Sequence, residues 1–172
     1  MTTFKLIPLS EKPFPNSIHM SRLSNLLTLL KTIPDDQFDI GSWVAVGGYI
    51  KYSKYPSAHP EILNQLCIVG DVNDIKPIEL PCGTTACAIG YATMHPWFQN
   101  QGLMFRPEGE IGYKPPNEPM VYGFTAISRF FNIPLSAAFE LFSRDYYISN
   151  APVTVDRVVA KMRLMFPELE SL

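Results

Sequence analysis

Charge is the first thing this chain has little of. Lys, Arg, Asp and Glu make up 17% of its 172 residues, against about 25% in an ordinary globular domain. The formal net charge is −2. That balance leaves no electrostatic footprint for a phosphate backbone, whose readers carry a basic face, so nucleic acid is not an expected partner. Histidine and cysteine are scarce at three residues each. An odd count of cysteines without paired spacing supplies neither a disulfide framework nor a ready set of zinc ligands. No run of 18 apolar residues exists, which excludes a membrane-spanning helix. The Met1–Phe14 stretch lacks the apolar centre of a secretory leader. These absences predict a reduced, cytoplasmic protein with no membrane, metal or cofactor.

What is present is apolar side chain and proline. Apolar residues reach 47% and prolines number 16, the latter roughly twice the usual share of about 5%. The length suggests one domain. Residues 1–15 carry three prolines and no period, so they read as an extended arm anchored by Phe4, Leu6 and Ile7. Residues 16–172 read as a single helical domain.

The fold is predicted to turn on the run from Pro81 to Pro96. Thr84 or Thr85 can cap a helix by accepting a backbone N–H of its first turn. Pro96 stops that helix, because it lacks an N–H and disfavours helical geometry at His95. The expected helix, about residues 84–95, contains no charge. A helix that is apolar all round is a buried one. Ala86 and Gly90, and Ala88 and Ala92, are four apart and share faces. Gly90 costs about 1 kcal/mol relative to alanine in a helix interior, so a neighbouring backbone should come close there.

The other elements follow from spacing. Leu23, Leu26, Leu27 and Leu30 fall at helical intervals in a helix that Asn16 or Ser17 opens and Pro34 closes. Pro60 can open a short helix. One turn from Pro96 should close at Gly102. Met104–Phe105 and Ile111–Tyr113 suit a small hairpin. Three helices finish the chain, over about 122–131, 135–142 and 154–166, with Thr154 as the last one's cap. The expected class is mainly α, with five or six helices around the central one and a possible small β-hairpin.

Several stretches invite a chemical reading. Cys82 precedes a helix N-terminus, where a thiol's pKa falls, and with His59 as base it would serve a cysteine-dependent hydrolase or transferase. His95 lies at the far end of the same helix. Gly83, Thr84 and Thr85 present N–H groups and hydroxyls in the general recipe for an anion, with Arg106 and Arg129 among the arginines able to add charge. There is no Lys after the glycine, so this is not a P-loop. The Tyr49, Tyr52, Tyr55 interleave with Lys51 and Lys54 can stack bases, but the rest of the chain lacks the matching charge. Asp71 to Asp74 fails the calcium-loop pattern, since Lys76 and Cys82 stand where Gly and Glu are required. The pair of helices around Asn132–Pro134 has helix-turn-helix dimensions, yet its second member is apolar and carries Glu140.

The run Cys82-Gly83-Thr84-x-x-Cys87-x-x-Gly90-x-Ala92 resembles a pattern in small bacterial and prophage proteins of uncharacterised function. A leucine-rich helix, Phe38-Asp39 and Trp43 precede it, and Phe130-Phe131 to Leu141-Phe142 follow, so the likeness spans about residues 20–165. It implies no particular activity. It implies a phage or mobile-element accessory protein acting on host defence. The expected function is a non-enzymatic binding protein that contacts a host protein or captures a small anionic ligand. The alternative is the Cys82-dependent enzyme.

Overall fold

Leucine spacing sets the first element. The helix α1 (Ser17–Leu30) buries Leu23, Leu26, Leu27, Leu29 and Leu30. Its last turn tightens as Thr32 N donates to Leu29 O and Ile33 N to Leu30 O, and Pro34 ends it. The computed structural model describes residues 17–41, 43–45, 85–106, 110–147 and 152–171. The expected arm over 1–15, the helix opened by Pro60, the tyrosine–lysine interleave at 49–55 and the stretch 71–82 tested against the calcium pattern lie outside the described residues.

A single 3-10 turn (Asp35–Gln37) leads to Phe38, which bridges Ala86 in parallel. Strand β1 (Val44–Ala45) pairs antiparallel with β2 (Thr85–Ala86), Val44 opposite Ala86 and Ala45 opposite Thr85. Ala86 is thus held from both sides. The central helix is α2 (Ala88–Met94), and all seven of its residues are buried. The charge-free run therefore does form a core helix. Its start differs from the expectation of about residue 84. Thr85 belongs to a strand, and Cys87 stands at the cap. The β1–β2 ladder holds Thr85 extended, and a residue paired in a ladder cannot also begin a helix.

His95 joins α2 to α3 (Pro96–Gln99), with Pro96 at the first helical position as expected. Gly102 closes that turn at φ +89°. A Cβ there would lie 2.5 Å from Lys114 O, so only glycine suits the site. Strands β3 (Leu103–Phe105), β4 (Ile111–Tyr113) and β5 (Val121–Tyr122) follow. They pair antiparallel in the order β3-β4-β5. The expected hairpin is present in register, Met104 opposite Gly112 and Phe105 opposite Ile111. It is one edge of a three-stranded sheet rather than the whole of it. β5 escaped notice because two residues carry no period.

Helix α4 (Gly123–Phe131) lies on β4, and α5 (Leu135–Phe142) packs against α4. The helix α6 (Val155–Met165) rests on α1 and α5. Among the described residues the fold is mainly helical, with two small antiparallel sheets. The short α2 shares its central position with α4. At a rise of about 1.5 Å per residue, seven residues are too short to back every other element. Buried rings carry the core onward from α3 through α4 to α5: Phe98 to Phe130 at 6.1 Å, Phe130 to Phe131 at 5.0 Å, and Phe131 to Phe142 at 6.1 Å.

Asn132 ends α4 in the left-handed region at φ 48°, where Asn and Gly are the residues of least cost. Ile133 N then reaches Ser128 O at 3.0 Å, and Ser128 Oγ donates to Ile133 O at 2.7 Å. Asn132→Ala should lower stability by about 1 kcal/mol, and Asn132→Gly by less. Thermal denaturation of the two variants gives the order.

Candidate functional site

At the N-terminus of α2 the described residues begin at Thr85, and Cys87 supports the helix. Cys87 is extended (φ −77°, ψ 173°), and its Sγ accepts the Gly90 N–H at 3.4 Å. Tyr91 N donates to Cys87 O at 3.0 Å. Of the first-turn donors that would hold an anion, Gly90 N–H is thus engaged within the core. Cys87 is 1% exposed. Burial pushes its thiol from an ordinary 9.0 up to about 12, the hydrogen bonds from Gly90 and Ile89 offset part of this, and the nearby Asp39 charge adds to it. Such a thiol is not a nucleophile at neutral pH.

The same burial has a pH signature. Burial raises Tyr91 to about 12, with Asp36 and Cys87 adding to the rise. Tyr147 is also raised, first by burial. Its hydroxyl donates to Leu141 O at 2.6 Å. A folded-state pKa above the unfolded value means the unfolded chain releases its proton first. The stability held by Cys87 is thus complete below pH 9 and drains away as pH climbs toward 12. Urea unfolding should weaken from about pH 9 upward, and Cys87→Ala should flatten the start of that decline. Iodoacetamide should spare Cys87 in the native protein and modify it in urea.

Gly90 is where the expected close approach occurs. A Cβ there would sit 1.6 Å from the Trp43 carbonyl oxygen and 2.7 Å from its carbon. The backbone just before β1 is pressed onto α2 at that point.

His95 is 3% exposed. It caps α3, with Nδ1 accepting Trp97 N–H at 3.1 Å, and Phe98 meets its ring edge-on at 6.0 Å. It lies about 12 Å along the chain axis from Cys87 by helical rise, so the two do not form a catalytic pair. Cys82, Gly83, Thr84, His59 and Cys67 lie outside the described residues. Among the described residues no group of three or more His, Cys, Asp and Glu is placed to hold a metal ion.

Arg106 and Arg129 sit on the second sheet and its helix. Arg106 extends over the Tyr122 ring, 5.0 Å to its centroid, and its backbone N–H donates to the Glu110 backbone O at 2.9 Å. Arg129 Nη1 meets Glu118 Oε2 at 2.6 Å, with both side chains about half exposed. Lys114 Nζ donates to Glu118 O at 2.6 Å. Gly123, at the start of α4, borders Glu110, and Arg129 is in its last turn. Arg106 therefore lies near the start of α4, and Arg129 stands about 9 Å of rise from Gly123. Thr85 is half-buried on β2, opposite Ala45.

One surface went unnoticed in the sequence. Leu164 is 66% and Tyr146 52% exposed. Lys161, three residues before Leu164 and so on the same side of α6, donates from Nζ to Tyr146 O at 3.1 Å. It also lies 4.5 Å from the Tyr147 ring centroid and 3.9 Å from Glu140. Burial draws its pKa below the ordinary lysine value, with Glu140 opposing. The amphipathic period of α6 marks Leu164 as off the buried stripe, but no sequence signal brings the Lys161 ammonium to Tyr146 O.

No family model matches the chain, and neither a curated protein nor a solved structure matches it. Among the described residues no helix is long and apolar enough to cross a membrane.

Proposed function

We propose that this protein is a non-enzymatic binding protein, and that it meets a protein partner on the outer side of α5 and α6, where Tyr146 and Leu164 stand in solvent. The observation that carries this reading is the closure of the α2 N-terminus. Cys87 spends its sulfur on the Gly90 N–H and is sealed from water, which supports reading that thiol as structural and occupies the Gly90 N–H that an anion would need. A protein partner is therefore favoured over a small anionic ligand. The resemblance to prophage proteins makes a host protein the partner class. Tyrosine is among the side chains enriched at the hot spots of protein interfaces.

The test is capture from bacterial host lysate by the wild-type chain and by Leu164→Glu and Tyr146→Ala, with mass spectrometry of proteins and small molecules. Substitutions at such exposed positions should leave melting nearly unchanged. Captured protein should fall at least about tenfold, or about 1.4 kcal/mol. Equal capture by all three rejects this face. Fast, selective alkylation of Cys82 in the native protein at neutral pH would reject the non-enzymatic reading and favour the hydrolase or transferase using Cys82 and His59.

A further inference from the structure

We draw no further inference here: the strongest candidate, the half-buried row of stacked rings Trp43, Phe124 and Phe139 on the seam between the segment after α1 and the α4–α5 pair, is an apolar face, and nothing in the structure shows what covers it.

Discussion

Gly90→Ala is expected to destabilise the protein by about 3 kcal/mol or more, although helix propensity alone favours alanine there by about 1 kcal/mol. The reason is geometric. The added methyl would lie 1.6 Å from Trp43 O and 2.7 Å from Trp43 C. Both are backbone atoms, so no rotamer change relieves the clash. Either α2 withdraws from the Trp43–Ala45 stretch or the β1–β2 ladder opens. Both moves uncover residues that are now in the core, since Ala86 is fully buried and Phe38 bridges it. A loss of that size in a chain of this length corresponds to a fall of roughly 6–12 °C in melting temperature. Gly41→Ala is the control. Its Cβ would meet Asp39 Oδ1 at 3.2 Å and the Arg144 side chain at 3.8 Å, and a shift within about 0.5 kcal/mol is expected. Equal behaviour of the two variants in urea unfolding would mean that Gly90 is not a point of backbone contact.

That contact was legible as a need before it was visible as a neighbour. A glycine inside a charge-free helix asks for a close backbone, but nothing in the sequence says that the backbone belongs to Trp43, 47 positions earlier. The same division runs through the fold. Helices with a clear apolar stripe, such as α1 and α6, fall where their leucines and valines predict. Thr154 does cap α6, accepting Arg157 N–H at 3.4 Å. Local rules failed where tertiary pairing overrode them. Thr85 has the better capping side chain, yet the strand claims it and Cys87 takes the role. Asp35, in the 3-10 turn after α1, accepts Val155 N–H at 3.4 Å, 120 residues away. Of the candidate site, the helix and its burial were legible. The engagement of the Cys87 sulfur was not, because a cysteine before a helix reads alike whether its sulfur faces water or core, and the candidate Cys82 lies outside the described residues.

The assignment of chemistry follows from the same physics. A buried thiol held protonated and a histidine whose Nδ1 accepts a backbone N–H each add to stability by being unreactive. Cys87 and His95 cap successive short helices, α2 and α3, that are too brief to stand alone. In space Cys87 and His95 are a pair of joints between short elements at the centre of the described residues, while Cys82, Gly83, Thr84 and His59 lie outside them.

Arg22 supplies the second large expected effect. Arg22→Ala should cost about 3 kcal/mol, and Arg22→Lys should recover only a minor part of it. The guanidinium joins three elements. Its Nε donates to Gln101 Oε1 at 2.8 Å beyond α3, and its Nη1 donates to Phe130 O in the last turn of α4. Its Cζ lies 4.2 Å from the Phe130 ring centroid and 5.9 Å from that of Tyr113. A charged hydrogen bond of this kind is worth about 1.5–3 kcal/mol, and the ring contact adds about 0.5–2 kcal/mol. These are not additive, because one rigid group makes them all. Lysine keeps the charge near the negative end of α4 but cannot direct two bonds from one plane or lie flat on a ring. Both hydrogen-bond acceptors are neutral, so the loss should change little with added salt, unlike that of a surface ion pair. A double-mutant cycle with Gln101→Ala should return a coupling of about 0.5–3 kcal/mol. An Arg22→Lys variant as stable as wild type in urea would show that charge alone, not the fork, ties α1 to the rest of the core.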